Sequence, residues 1–596
     1  MTLATIDIVI ILFFFALTLG IGIYVSRTSG KNTAEYFLSG RSMPWWLLGM
    51  SMVATTFSTD TPNLVTDIVR QNGVSGNWVW LVFLLTGMLT VFVYAKLWRK
   101  SNVTTDIEFY ELRYGGPPAR FLRAFRAIFL GLIFNVLAMS AVSLAAIKIG
   151  EVMLGLTPIQ TIGIASVVTV VFSSLGGFKG VVYTDFILFF VAMIGAIGAA
   201  VVSVNHPDVG GLSALFDNAA IADKINILPD LNNQDILISL VIIPLAVQWW
   251  AAWYPGSEPG GGGYIAQRML AAKDESHAVG ATFFFNIMHY ALRPWPWILV
   301  ALASLIVFPD LASIKEAFPN VSDHKLGHDL AYPAMLTFLP VGLMGLVLAS
   351  LIAAFMSTIS THLNWGASYL VNDLYKRFIK PNASEKEFVA AGRVTTFILM
   401  FLAALMALYM QNALQIFDFI LMFGAGTGLI FLLRWFWWRI NAWSEIAAMF
   451  SSGIISFLFV FSGLYPEEWP PFYRFPIIVL ITTIIWLVVT FLSKPESDDT
   501  LHEFYRRIQP GGAGWQKVIN HASDHGVSIV EPNAKFTLPQ GILAMVLGTI
   551  LVYSLFFATG KMLYGETGAG LILAVVAIIV AFILKNVWKK AGADII

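Results

Sequence analysis

Gly342-Leu-Met-Gly-Leu-Val-Leu-Ala-Ser-Leu-Ile-Ala-Ala-Phe-Met-Ser-Thr-Ile-Ser-Thr361 begins as an apolar helix and turns polar in its middle. It runs on through Asn364-Trp-Gly-Ala-Ser368 to Asp373-Leu-Tyr-Lys376. Ala354, Ser357, Thr358 and Thr361 recur at helical spacing and share one face. That face offers hydroxyls and backbone carbonyls without a formal charge. Hard monovalent cations take such oxygen ligands, and transporters place ion sites at helix breaks near the bilayer midplane. Serine and threonine also bond back to the i−4 carbonyl, and small residues let helices pack closely. The stretch alone leaves both readings open.

Composition narrows the class. Of 596 residues 57% are hydrophobic and only 12% charged, against about 25% charged in soluble proteins. Apolar runs of about 20 residues recur along the chain, as in a polytopic membrane protein embedded in a lipid bilayer. Lys+Arg and Asp+Glu balance at 36 each, with basic clusters confined to loops and no nucleic-acid patch. Cysteine is absent, which excludes disulfides, thiolate metal sites and cysteine nucleophiles. The run Ile6–Val25 is too long for a signal-peptide core and reads as the first span.

Fifteen spans are expected, at roughly 5–27, 44–70, 78–98, 121–150, 157–176, 181–204, 232–253, 280–307, 334–374, 387–410, 412–434, 441–463, 471–493, 538–559 and 567–588. The basic residues fix their orientation. Arg99, Lys100, Arg113, Arg120, Arg123 and Arg126 lie between spans three and four; Arg268 and Lys273 follow span seven. Lys376, Arg377, Lys380 and Lys386 follow span nine, and Lys585, Lys589 and Lys590 end the chain. All fall on one side if the N-terminus is outside and the C-terminus cytoplasmic, in a plasma membrane read here as a bacterial inner membrane. The opposite loop, 205–231, carries Lys224 alone among several aspartates.

Two polar stretches interrupt the spans. Loop 494–537 holds His502, His521 and His525, whose irregular spacing and lack of cysteine partners argue against a metal site. Pro255-Gly-Ser-Glu-Pro-Gly-Gly-Gly-Gly263 lacks the Gly-Lys-Ser/Thr ending of a phosphate loop and reads as the end of span seven, with a hinge. Span two is more informative: Met43-Pro-Trp-Trp-Leu-Leu-Gly-Met-Ser-Met-Val-Ala54-Thr-Thr-Phe57-Ser-Thr-Asp60-Thr-Pro62. Pro62 removes a backbone hydrogen bond and clashes with the Ser58 carbonyl, so the helix is expected to break. Irregular backbone at that depth is tolerated where it lines a cavity. Asp60 is accordingly a functional candidate, or a cap on the second half-helix.

These motifs resemble the sodium:solute symporter family, which includes the sodium–sugar, sodium–proline and sialic acid symporters. Ala34-Glu-Tyr-Phe-Leu-Ser-Gly-Arg41 is similar to that family's first loop, and Pro44-Trp-Trp46 leads into its broken helix. Gly176-Gly-Phe-Lys-Gly-Val-Val-Tyr-Thr-Asp185, Gln267-Arg-Met-Leu-Ala-Ala-Lys273, Met356-Ser-Thr358 and Asp373-Leu-Tyr-Lys376 match later motifs in order. The resemblance implies an all-α, LeuT-like core of two inverted five-helix repeats, with one extra N-terminal and about four extra C-terminal helices. The expected organisation is an extra helix and loop at 1–40, repeats at 41–204 and 232–436, an external loop at 205–231, and accessory helices at 437–596 around loop 494–537.

The resemblance also implies a sodium ion between spans two and nine, held by the carbonyls of Ala54, Phe57 and Ala354 and the hydroxyls of Ser357 and Thr358. A second sodium near Asp185 with Ser360 and Thr361 is a weaker implication, because Leu188 replaces a glutamine common in relatives. Ungapped matching to the sugar carriers puts Thr56, Asp60, Thr61, His289 and Asp418 at the solute site. Trp249, Trp250 and Trp253 could offer a stacking face, and Arg293 an ion pair with Asp60 or Asp418 or a partner for a substrate carboxylate. The implied function is sodium-coupled symport of a small polar solute, a sugar or polyol first, by alternating access. Na+ is the coupling ion and no organic cofactor is implied. Carriage of an organic or sugar acid or an amino acid is the alternative. A transporter-like sensor would carry a signalling domain. A membrane enzyme would need midplane catalytic groups in a motif that Asp60 and Asp418 do not supply, so no enzyme is expected.

Overall fold

Hydrocarbon offers backbone groups no partners, so a chain with this composition has to satisfy them within helices. The computed structural model describes residues 3–29, 33–411, 413–532 and 536–590, and the secondary structure among them is helical. In chain order the elements used here are α1 (Thr5–Ser29), α2 (Trp45–Thr55), α3 (Asp60–Asn72), α4 (Val74–Ser101), α5 (Gly116–Leu154), α6 (Pro158–Ser174) and α7 (Gly177–Val204). They continue as α8 (Gln234–Ala251), α9 (Gly263–Ala271), α10 (Glu275–Val307), α11 (Leu343–Ile379), α12 (Glu385–Ala407), α13 (Ala413–Phe423) and α14 (Gly428–Leu433). The chain ends with α15 (Ala442–Phe461), α16 (Pro471–Leu492), α17 (Asp498–Ile508), α18 (Gln516–Asp524), α19 (Leu538–Leu563) and α20 (Thr567–Lys590).

Among the described residues, 12 helices are long and apolar enough to cross a membrane. The shorter α6, the interrupted pair α2/α3 and the interrupted pair α13/α14 account for the other three of the fifteen expected spans. Helices α6 and α7 meet at Gly177, where φ is +55° and ψ −162°, a backbone that glycine adopts without strain. The ninth span starts at Leu343, later than its apolar run suggests. Ala331–Leu336 is a separate short helix, and Gly342 at φ +86° turns the chain into α11.

The seventh span departs further from its sequence reading. Its glycine run is not an end but an unwound middle: α8 stops at Ala251, and α9 resumes at Gly263. Met43, at the base of α2, pairs with the chain just beyond α9 through Met43 N–H to Ala271 O (3.2 Å) and Lys273 N–H to Met43 O (3.0 Å). Helix α9 therefore completes the crossing to the level at which the second span begins. Arg268 consequently lies inside the protein, 0% exposed, and is no loop cation. Arg113 is likewise fully buried, donating to the carbonyls of Arg434, Trp437 and Trp438. Neither belongs in the orientation argument.

Helix α11 runs through the bundle with nearly every side chain from Leu343 to Ser368 buried. Its N-terminus would leave amides unpaired in the membrane. Asp7 of α1 answers this: its Oδ1 accepts from the N–H groups of Gly342 (2.7 Å) and Gly345 (2.8 Å). At its other end, Asp373 of the Asp-Leu-Tyr-Lys motif accepts from Arg123 and the Thr105 hydroxyl at 2.6–2.8 Å. The C-terminal helices pack around this core. Helices α19 and α20 lie on α4 and α10, with Gly541 against the Phe92 backbone and Trp588 edge-on to Phe92 and Phe283.

Candidate functional site

Two helix breaks face each other across one cavity. Residues 56–59 separate α2 from α3, and residues 252–262 separate α8 from α9. Thr56, Ser58, Asp60 and Thr61 line the cavity from the first break, Tyr254 and Ser257 from the second. At Gly256 the left-handed backbone (φ +85°) favours glycine, and a Cβ there would clash with the Tyr264 hydroxyl of α9 and stand 3.3 Å from Thr56 Cγ2 of the first break. About 130 Å³ is open to the centre of a water molecule. A water's share of liquid volume is about 30 Å³, so the space takes several waters or one small solute.

Helix α10 contributes a π-helical stretch, Met288–Leu292, a distortion frequent at functional sites. It brings His289, Tyr290 and Arg293 to the same cavity. His289 Nδ1 lies 3.2 Å from the Thr56 hydroxyl. Arg293 is 2% exposed; its Nη1 donates to Val53 O (3.1 Å) and Thr56 Oγ1 (3.0 Å), and its guanidinium lies 5.2 Å from the Trp297 ring centre. Its Nε is buried without a hydrogen-bond partner. Among the described residues no carboxylate comes within ion-pair distance of Arg293, so neither Asp60 nor Asp418 pairs with it. Arg293 does not snorkel either; it clamps the end of α2. Aromatic faces complete the wall: Trp80 stacks with Tyr290 at 6.1 Å and Phe83 with Tyr254 at 5.8 Å.

Four residues expected at this site lie elsewhere. Trp253 sits on the extended chain just past α8, where neighbouring side chains point to opposite sides. Its own ring packs edge-on to Phe134, and its backbone N–H bonds to Gly424 O, while Tyr254 takes the cavity side. Trp249 and Trp250 are half-buried, their indoles bonded to carbonyls of their own helix, and are not cavity walls. On α13 the cavity side belongs to Phe417 and Ile420 at helical spacing, which turns Asp418 away and leaves it exposed. Thr56, Asp60, Thr61, His289 and Arg293 do converge. Sequence reasoning missed Ser58, Trp80, Tyr254, Ser257, Tyr264, Tyr290 and His362.

The polar face of α11 meets the first break. The Thr358 hydroxyl donates to Thr55 O at 2.7 Å and lies 3.5 Å from Phe57 O. Phe57 N–H in turn bonds to Ala54 O at 3.2 Å. Ser357 turns from the break toward α7 and donates to Asp185 Oδ1 at 2.5 Å. Ser51 donates to the other oxygen of Asp185, also at 2.5 Å. Arg268 closes this network, donating to Ser51 Oγ (3.0 Å), Thr55 Oγ1 (2.9 Å) and Thr361 Oγ1 (2.8 Å), with Nη2 3.6 Å from Asp185 Oδ2. Asp185, Ser360 and Thr361 are therefore not gathered around an open cation position. The guanidinium already holds Asp185 and Thr361, and Ser360 donates to the Ser357 carbonyl of its own helix at 3.1 Å.

A family model described as "Sodium:solute symporter family" matches residues 36–455. The chain is 26% identical over 518 residues to the sodium/glucose cotransporter of Vibrio parahaemolyticus, covering 83% of this chain and 92% of that one. It is 24% identical over 540 residues to sodium/myo-inositol cotransporter 2 of Oryctolagus cuniculus, covering 83% and 78%. Its fold is similar to that of a Na+-coupled sialic acid symporter solved in a substrate-bound outward-open state, with TM-score 0.65, 20% identity, and 83% and 99% coverage. With broken helices framing a central cavity and a match over most of its length, this chain belongs to the sodium:solute symporter family.

Proposed function

We propose that this protein carries a neutral polyhydroxylated solute, a sugar or cyclic polyol, into the cell together with sodium. The observation that carries the reading is the lining of the cavity. Hydroxyls of Thr56, Ser58, Thr61 and Ser257, the Asp60 carboxylate and the faces of Trp80 and Tyr290 surround a space fit for one small solute. Hydroxyl-rich ligands give hydrogen bonds to such carboxylates and lay their C–H faces on aromatic rings. The named relatives, cotransporters of glucose and myo-inositol, point the same way.

Sodium is assigned to the junction of α2 and α11, with carbonyls of Ala54, Phe57 and Ala354 and hydroxyls of Ser357 and Thr358. The hydroxyls fit: each spends its proton on an acceptor and keeps lone pairs for a cation. An ion there would bridge the broken helix and α11, so sodium and solute favour the same conformers and become thermodynamically coupled. One sodium per cycle is assigned, because Arg268 stands where a second would bind. At 100 mV that ion supplies roughly 2.3 kcal/mol. The repeats are assigned to 41–204 and 232–436, each opening on an interrupted helix. The membrane is assigned as a bacterial inner membrane, with the N-terminus outside.

Arg293 supports a second reading. A buried guanidinium at the cavity wall with an unpartnered Nε suits an acidic solute, such as a sugar acid.

The deciding experiment is uptake into proteoliposomes of labelled sugars, polyols, sugar acids and amino acids, driven by an inward sodium gradient or a matched potassium one. Sodium-only accumulation of a sugar or polyol, with a Hill slope near one, is expected. Accumulation confined to acids would replace the neutral reading with the Arg293 one. Ser357→Ala combined with Thr358→Ala is expected to abolish sodium-dependent uptake in protein that still melts cooperatively. Unchanged sodium affinity in that variant would move the ion elsewhere.

A further inference from the structure

The loop between α16 and α19 folds back on itself and brings together side chains that are far apart in sequence. One ligating atom from each of Asp498, His502 and His521 lies within 4.8 Å of the others. Asp498 and His502 are one helical turn apart on α17 and share a face; His521 reaches across from α18. Asp498 Oδ2 is 3.7 Å from His521 Nδ1. An exposed ion pair would account for those two alone. It does not account for His502, which is 9% exposed and whose Nε2 is buried without a hydrogen-bond partner. A buried imidazole nitrogen left unpaired carries a desolvation cost that a ligand would relieve.

We propose that Asp498, His502 and His521 bind one divalent transition-metal ion of borderline softness, of the Zn2+ class, with water completing a tetrahedral shell. Two imidazoles and a carboxylate are a donor set of that class, and hard ions such as Mg2+ and Ca2+ prefer oxygen alone. Metal–ligand bonds of about 2.0–2.1 Å put tetrahedral ligand atoms about 3.4 Å apart. The observed 3.7 Å is near that spacing, and small rotamer adjustments at the two exposed residues close the remainder. His525, 4.4 Å from His521 ring to ring, has its Nδ1 2.8 Å from the His521 carbonyl oxygen and is not counted as a ligand.

The spacing of the three histidines in sequence argued against such a site. The fold supplies what spacing could not, an aspartate a turn before His502 and a second helix laid beside the first. The metal would cross-link α17 to α18, where the ring of Phe504 on α17 stacks at 5.5 Å on that of Trp515, the residue just before α18. It would thereby fasten this hairpin to the transport core, because Trp515 Nε1 donates to Trp435 O at 2.9 Å.

The test uses the full chain in detergent, with any affinity tag removed, stripped with chelator and titrated with Co2+. The readouts are metal content by mass spectrometry and the visible d–d bands of four-coordinate cobalt. About one Co2+ per chain is expected, displaced by Zn2+ but not by Mg2+. His521→Ala, at an exposed position, should lose the bands and at least tenfold in affinity without loss of folding; His502→Ala should do the same, and Asp498→Asn should weaken binding. Absence of stoichiometric Co2+ in the wild-type protein, or unchanged binding in His521→Ala, overturns the proposal.

Discussion

Asp60 shows how one residue serves both fold and site. It stands in the first turn of α3, where the helix dipole favours a negative charge, and its side chain faces the cavity. If a sugar hydroxyl donates to it, replacing the charged acceptor by an amide removes about 1.5–3 kcal/mol. Asp60→Asn is therefore expected to raise the concentration of solute at half-maximal uptake by roughly 10–100-fold, with the sodium dependence little changed. Equal solute affinity in wild type and variant would reduce Asp60 to a capping residue. Polar cavity residues such as Asp60, Thr56 and His289 were legible in the sequence, because a polar side chain in an apolar span stands out. The aromatic wall was not: Phe, Trp and Tyr make up 14% of this chain, so Trp80, Tyr254 and Tyr290 have no contrast against the rest. Asp418 and Trp253 misled for a different reason. A helix turns about 100° per residue and an extended chain alternates sides, so a one-residue difference in position decides which side chain enters the cavity.

At the scale of an element, α11 is fixed from both ends. The Asp7 carboxylate takes the place of an N-cap residue, although it comes from another helix more than three hundred positions away. A Cβ at Gly345 would lie 2.5 Å from the Asp7 Cα, so α1 and α11 touch backbone to backbone. Removing a cap of this kind costs about 0.5–2 kcal/mol. Asp7→Ala should lower the thermal stability of the purified protein while leaving solute selectivity intact. Asp7→Asn, which keeps an accepting oxygen, should fall between the two; identical melting of Asp7→Ala and wild type would deny the cap any role. Long apolar helices were readable because hydrocarbon thickness sets their length. The break at 252–262 was not, because a glycine run looks the same at the end of a helix and in its unwound middle. What separates the two is the pairing of Met43 with the chain beyond α9, a contact between residues with no local relation. Arg268 was hidden by the same misreading: placed in a loop it is one more basic residue, and placed in α9 it organises the network around Asp185.

For the molecule as a whole, orientation in the membrane can be tested without altering any native cysteine, since the chain has none. Removing the buried Arg113, Arg123, Arg126 and Arg268 from the argument leaves Arg99, Lys100, Arg120, Lys273, Lys376, Arg377, Lys380, Lys386 and the C-terminal lysines on one side. Most of these are exposed, and Lys380 is 57% so. Across the membrane, loop 205–231 carries Lys224 as its one Lys or Arg. The orientation proposed above, which follows the positive-inside rule, has loop 205–231 outside and the α17/α18 hairpin in the cytoplasm. Ser213 and Gln516 are exposed on those two segments, so a single cysteine at either disturbs little. In intact cells a membrane-impermeant maleimide should label Ser213→Cys at once, and Gln516→Cys only after the membrane is opened. The reverse pattern would invert the assigned topology and put the Asp498, His502 and His521 cluster outside the cell. Labelling of both in intact cells would mean that the number of crossings between them is even. A positive result would also locate the proposed metal ligands where the cell controls free zinc, so a clamp on the hairpin would answer to the cytoplasm and not to the medium from which solute and sodium are drawn.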